Sequence, residues 1–350
     1  MNRGKRFLLK FWLPQRAGIH IFCNWSQQCK PKMNSQKVKL IIDTDPGFDD
    51  AMAIGVAMRW PNVELLALTC VNGNVPCWQT SLNALKIRQL FERKDVPVFK
   101  GAESPLFTQY KHEASHWHGT DGLLDVTDYI KVDKNELEEK DAVSSIIDIA
   151  TKHKGEVTLL AIGPLTNLAL AVKIRPDLPK LLKEVVILGG NYTGLGNQTK
   201  AGEFNFVADP LAAHIVLEEY TCPKYIVPWE AVLDNPYSSN FASIYCGKDN
   251  DRSRFFKKII DAHCSRHKVD LTDSADTLAI CVALDKEGVI ADQFDTFATV
   301  EPFGAETHGM MVVERRHLAH RGRQKGESNV VIVRKLNMKR VEEMLIHSVS

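Results

Sequence analysis

From Lys39 onward this 350-residue chain is patterned as one α/β domain, a single open, mostly parallel β-sheet with helices on both faces. Three observations lead there. Short apolar runs of strand length alternate with amphipathic stretches of helix length, which is the sequence form of consecutive βαβ units. No internal repeat and no Ser/Gly linker divides the body. Polar residues able to do chemistry gather just after the apolar runs, and in open parallel sheets ligands bind outside the carboxyl ends of the strands.

In chain order, "VKLII" (38–42) reads as the first strand and "DDAMAIGVAMRW" (49–60) as its helix. "VELLALTCV" (63–71) is a strand, "WQTSLNALKIRQLFE" (78–92) a helix and "VPVFKG" (96–101) a short strand. After a loop rich in His, Gly and Asp, the pattern resumes with a helix (142–153), a strand (156–163), a helix (165–174) and a strand (184–190). "DPLAAHIVLEEY" (209–220) and "KYIVPW" (224–229) add a helix and a strand. The remainder is mixed, with helices near 253–268 and 276–285, strands near 295–300, 309–315 and 329–334, and a closing helix near 338–347. Asp43 to Asp50, Asn72 and Asn74, Ile162 to Asn167, and Gly189 to Asn191 each follow a strand, so the site is expected along one edge.

Charge is unevenly spread. Residues 1 to 39 hold nine Lys and Arg and no acid, which leaves 35 basic against 43 acidic residues beyond, a balance of −8. A body of that sign lacks the basic patches that nucleic acid needs, and small-molecule partners fit it better. No apolar run reaches the roughly 18 residues of a membrane span. The opening stretch is basic and acid-free like a mitochondrial presequence. It is poor in Ser, however, and Lys10 interrupts its apolar part, unlike a secretory signal. Residues 1–37 therefore read as a basic extension, disordered or targeting, ahead of a domain at 38–350, with Met33 as an alternative start. The eight cysteines show no C-x-x-C pair and several lie in apolar runs, which points to free thiols in a reducing compartment. The cytoplasm is the expected location, with the mitochondrion as the alternative.

The stretch "DTDPGFDD" (43–50) packs four aspartates directly behind a strand. Such crowding of like charge needs a cation, a shared proton or donors from a helix start. Pro46 and Gly47 make the turn, and Asp49 and Asp50 fall at the helix N-terminus, where negative charge is favoured. Capping accounts for part of the cluster only. Hard carboxylate oxygens without paired His or Cys suit Ca2+ or Mg2+ rather than zinc, and Ca2+ requires six to eight oxygens, so a later acidic residue should join. Phosphatases of the haloacid-dehalogenase type also open with Asp-x-Asp after a strand, but Pro46 and the second acidic pair depart from their pattern.

"DTDPGFDDAMAI" resembles the signature of the inosine-uridine preferring nucleoside hydrolase family. "VNGN" (71–74), "HGTDGL" (118–123), "AIGPLTNLAL" (161–170), "ILGGNY" (187–192) and "GNQTKAGEFNFVADPLAA" (196–213) follow in the family's order. The resemblance runs from about Lys39 to at least Asp285 and implies a Rossmann-like fold and Ca2+-dependent hydrolysis of ribonucleosides to free base and ribose. It also implies assembly into homodimers or homotetramers.

Carried onto this chain, the resemblance implies a Ca2+ held by Asp45, Asp50, the Ile162 carbonyl and Asp276, with Asp273 as the alternative late ligand. Asp45 would be the general base toward water. Asp49, Asn197, Glu203 and Asn205 would bind ribose, Asn74 would touch the water or the metal shell, and His118 would line the ribose or base side. Asp43 would anchor the loop. His112 and His116 are expected on the surface, and Asn167 is expected to start a helix. Many members carry a His immediately before the late Asp, where it helps the leaving base. Here that place holds Ala275, leaving Trp117, Tyr192, Trp229 and His118 as candidates for base contacts. The same departure raises the alternative of a nucleoside or ribose binder with weak or lost hydrolysis.

Overall fold

The computed structural model describes residues 37–107, 114–268, 274–315 and 328–350. The basic extension up to residue 36, His112 and Asp273 lie outside the described residues.

Ten strands form: β1 (Val38–Thr44), β2 (Val63–Cys70), β3 (Val98–Lys100), β4 (Val157–Ala161), β5 (Leu182–Leu188), β6 (Lys224–Val227), β7 (Ile290–Thr296), β8 (Ala298–Val300), β9 (Met311–Val313) and β10 (Val330–Leu336). Eight of them make one sheet in the order β3-β2-β1-β4-β5-β6-β10-β7. All neighbours in it are parallel except β10 and β7. The parallel strands are the near-continuous apolar runs that burial on both faces demands.

Successive side chains of β1 go to opposite faces and into different cores. Leu40 and Ile42 join Leu68, Leu160 and Val186 under the helices Phe48–Arg59, Cys77–Leu90, Ala275–Leu284 and Met338–Ser348. Ile41 joins Ala67, Leu159, Val185 and Ile187 under the helices Ala142–Lys152, Thr166–Ile174 and Pro210–Glu219. Each such fully buried aliphatic side chain contributes about 1.5–3 kcal/mol against the entropy of folding.

The chain starts in the middle of the sheet, runs outward to β2 and β3, and returns to β4 on the other side of β1. Strand order therefore reverses between β1 and β4, which creates the crevice where ligands settle in doubly wound sheets. Register carries the chemistry to that point: Asp43 pairs with Thr69 on β2 and with Ala161 on β4.

The late region departs from its sequence pattern. The strand expected near 295–300 is two strands, with Phe297 between them. β7 starts earlier, at Ile290, and lies antiparallel on the sheet edge, where its side chains alternate between half-buried and exposed as an edge strand permits. β8 pairs with β9 in a separate two-stranded sheet. Short helices at Ser115–His118, Phe204–Ala208, Trp229–Asp234, Phe241–Cys246 and Lys286–Val289 fall in stretches without a long amphipathic period.

Candidate active site at the carboxyl edge of the sheet

The turn from β1 into the helix Phe48–Arg59 is held by Asp50, which folds back over it. Its Oδ1 accepts the Thr44 hydroxyl at 2.5 Å and the Asp45 N–H at 3.3 Å, and its Oδ2 accepts the Gly47 N–H at 2.9 Å and the Asn74 amide at 3.3 Å. Asp45 is cradled by two glycines. A Cβ at Gly73 would lie 2.0 Å from Asp45 Oδ2, and one at Gly163 would lie 2.6 Å from Oδ1. Asp45 Oδ2 accepts the Asn74 N–H at 2.7 Å, while Oδ1 is buried with no hydrogen-bond partner. Behind it, Asp43 Oδ2 accepts Thr69 Oγ1 at 2.6 Å and Asn167 Nδ2 at 2.8 Å. Asp43 thus anchors the loop, and Asn167, at the start of its helix, positions Asp43.

Asp276, in the first turn of the helix Ala275–Leu284, meets this cluster from the far side of the crevice. Asp49, Asp50 and Asp276 each offer a carboxylate oxygen within 4.8 Å of the others. This trio differs from the ligand set that the resemblance implies, since it includes Asp49 and leaves Asp45 just outside. Asp45 still feels the charges of Asp50 and Asp49. The backbone N–H of Ala275, across the crevice, favours the charged form of Asp49.

Burial, and then the neighbouring aspartates, hold the Asp45 and Asp276 carboxyls well above the usual carboxylate range. Asp49 is pushed up to about 7 by burial and then by Asp50, and Asp43 to about 7 by burial alone against its two hydrogen bonds. Asp50 rises by burial, offset in part by Thr44 and Gly47. Four clustered acids with raised proton affinity, all-oxygen donors, and an unpartnered buried oxygen on Asp45 fit a hard divalent cation such as Ca2+.

Above this floor opens a cavity of about 310 Å³, of the size that takes a small ligand. Its lining includes Asp49, Asn74, Trp117, His118, Ile162, Asn197, Glu203, Asn205, Trp229, Ala275 and Asp276. The predicted site residues therefore converge, with Asp45 and Asp50 buried beneath. His116 is exposed, as expected, but also borders the cavity. Tyr192 is not among the lining residues and packs edge-on against Phe294 at 5.5 Å.

Three polar residues on the wall are partly committed to the protein itself. Glu203 accepts the N–H groups of Asn205 at 2.9 Å, Gly190 at 2.8 Å and Phe206 at 3.2 Å, yet burial raises its carboxyl to about 7. Asn205 donates Nδ2 to the Ile162 carbonyl at 3.1 Å and the Leu188 carbonyl at 3.2 Å, which leaves its oxygen as the remaining polar atom. Asn197 accepts the Phe204 N–H at 2.9 Å.

His118 accepts the Phe48 N–H on Nδ1 at 3.3 Å, so in its neutral form the proton sits on Nε2. Burial, and then His263, His116 and His267, lower its pKa to about 3. His263 and His267, on the helix Asp251–His267 and not singled out from the sequence, pack against Trp117, His263 edge-on at a ring distance of 5.0 Å and His267 tilted at 4.2 Å. Their i, i+4 spacing was the available signal. Asn83, buried on the helix Cys77–Leu90, was also missed.

A reversed strand order with buried carboxylates under a polar and aromatic cavity defines an α/β protein with a small-molecule site at its switch point. The inosine-uridine preferring nucleoside hydrolase profile matches residues 40–343, and the chain belongs to that family. It is 32% identical over 287 residues to the inosine-uridine preferring nucleoside hydrolase of Crithidia fasciculata, an alignment covering 80% of this chain and 88% of that protein. To uridine nucleosidase 1 of Arabidopsis thaliana it is 43% identical over 178 residues, and it spans about half the length of that relative, 52%. Among solved structures, an inosine-guanosine nucleoside hydrolase superposes with a TM-score of 0.80 at 31% identity, covering 89% of this chain and 98% of that one. Among the described residues, no helix is long and apolar enough to cross a membrane.

Proposed function

We propose that the protein hydrolyses the N-glycosidic bond of ribonucleosides, releasing free base and ribose, with Ca2+ as its metal. The observation that carries this reading is Asp45: a buried carboxylate braced by the Asn74 N–H and two glycines, with Oδ1 unpartnered beneath a cavity of about 310 Å³ that Asp49 and Asp276 line. Asp45, Asp50, the Ile162 carbonyl and Asp276 would hold the cation. When bound, it would acidify water and grip hydroxyl oxygens.

Asp45 Oδ1 takes the proton of the attacking water. Asp49, Asn197, Glu203 and the Asn205 oxygen bind the ribose hydroxyls, and Asn74 keeps Asp45 in register through its N–H. As the glycosidic bond lengthens, positive charge develops on the ribosyl ring and the surrounding carboxylates stabilise it. At the departing base, Ala275 offers no acid. Trp117 and Trp229 give it aromatic contact, and His118 can donate a hydrogen bond from Nε2. With a pKa of about 3, His118 is not charged at neutral pH and does not act as an imidazolium acid.

Asp45→Asn tests the assignment. A positioned general base contributes about 10²–10⁴-fold, so turnover should fall by that factor or more; a near-normal rate would overturn the mechanism. Ala275 also favours a second reading, a nucleoside binder with little hydrolysis. That reading predicts thermal stabilisation of the unaltered protein by nucleosides without release of ribose.

A further inference from the structure

The carboxylate turn and the histidine loop come from distant parts of the sequence, and one buried amide holds both. Asn83 lies on the inner face of the helix Cys77–Leu90 and is fully buried. Its Nδ2 donates to the carbonyl of Pro46, between Asp45 and Gly47, at 2.9 Å. The same nitrogen donates to the carbonyl of Asp121, in the loop that carries Trp117 and His118, at 2.7 Å. Its Oδ1 accepts Gln79 Nε2 at 2.9 Å, so every polar atom of the side chain is engaged, and the two carbonyl acceptors, which only the amide nitrogen can serve, set its orientation. Gly122 makes room for the contact: a Cβ there would lie 2.8 Å from Asn83 Nδ2 and 3.1 Å from the Pro46 carbonyl. One turn further on, Lys86 Nζ donates to Thr127 at 3.0 Å and holds the far end of the same loop.

We infer that Asn83 is a positioning residue that fixes the separation between the carboxylate floor and the Trp117–His118 wall. The inference rests on the hydrolase reading above for its effect on rate, but the coupling of the two loops is testable without it. The two donated bonds cross from the β1 turn (45–47) to the loop at 118–122; among the described residues the direct bond from Phe48 N–H to His118 is longer at 3.3 Å, and Asn74, which donates to Asp45 and accepts the Ala114 N–H at 3.1 Å, reaches only the start of the wall. An amide that bridges two carbonyls cannot be replaced by an apolar side chain of similar size without leaving both acceptors buried and unpaired. The wall would then drift relative to the floor. A displacement of about 1 Å at reacting groups costs on the order of 100-fold in rate.

The test compares Asn83→Leu with Gln79→Leu in the full-length chain. Gln79 touches the same network through Asn83 but neither loop, so its loss leaves the bridge in place. For Asn83→Leu, we expect kcat per folded molecule to fall by tenfold or more, and amide hydrogen exchange at 47–50 and 118–124 to quicken together by tenfold or more. For Gln79→Leu, both readouts should stay within about threefold of the unaltered protein. Unchanged exchange in the two loops of Asn83→Leu overturns the inference, as does equal quickening in both variants, which marks a general packing effect. If the unaltered protein releases no ribose, the hydrolase reading fails while the exchange result still decides the coupling. Should Asn83→Leu not fold, Asn83→Ser, which keeps one shorter donor, is read by the same criteria.

Discussion

Replacing Gly73 by Ala would set a methyl carbon 2.0 Å from Asp45 Oδ2, 2.7 Å from its Cγ and 2.9 Å from Pro164 Cδ. Ordinary contact between such atoms is about 3.5 Å, so the carboxylate must retreat by roughly 1.5 Å. Gly73 is not in the left-handed region, so alanine meets no conformational penalty and the clash is the whole effect. Retreat breaks the 2.7 Å bond from the Asn74 N–H, a charge-assisted bond of about 1.5–3 kcal/mol. It also moves the proposed base by more than the 1 Å that costs about 100-fold in rate. Steady-state kinetics of ribose release from a nucleoside, read beside thermal melting, should show kcat down by about 100-fold or more and a modest loss of stability. Gly155→Ala is the control. Gly155 has φ +77° with nothing within 4 Å of its Cβ, so the change should cost about 1 kcal/mol of left-handed strain and leave kcat unaltered. A Gly73→Ala enzyme within threefold of the unaltered rate, or an equal loss in both variants, would refute the cradle.

Asp276→Asn should weaken Ca2+ affinity by tenfold or more by titration, and Asp273→Asn should change it little; the reverse ranking would show that the late ligand is misassigned. Metal-free protein should lose stability as pH rises from about 6 to 7.5. Asp43, Asp49 and Glu203 are each pushed up to about 7, above their unfolded values. The stability they contribute is complete at low pH and is lost as pH rises through 7. His118 and His263, lowered to about 3 and 4, act in the opposite sense, but their effect falls mainly below pH 6.5. Added Ca2+ should flatten the profile. Melting temperatures of chelated protein that climb over this interval would contradict the assigned electrostatics.

The parallel half of the sheet was legible because strands buried on both faces carry near-continuous apolar runs, and β1, β2, β4 and β5 do. β7 was not, because an edge strand need be apolar only at alternate positions, and "IADQFDT" carries four polar residues. In the site, the aspartate turn was marked by carboxylates clustered directly after a strand, whereas His118, Asn197, Glu203 and Asn205 were legible only through the motifs that resemble the family's. What the pattern hid was how far the protein itself uses those atoms. Glu203 reads as a ribose ligand, yet three backbone N–H groups already rest on its carboxylate. Gln79, Asn83 and Lys86 recur at helical spacing like an ordinary solvated face, but all three are buried; Asn83 and Lys86 hold the site's loops, and Gln79 holds Asn83. Periodicity records that a face is polar; only the packing tells which way it points.

In the proposed reaction the carboxylates at the β1–β4 crevice would work on the glycosidic bond of a nucleoside with a bound Ca2+. A panel of purine and pyrimidine nucleosides incubated with the purified protein, with chelator and with Ca2+ restored, tests it by free ribose. Ribose should appear in equal amount to free base, stop on chelation and return with Ca2+. No ribose from any nucleoside, or release that chelation leaves untouched, would contradict it.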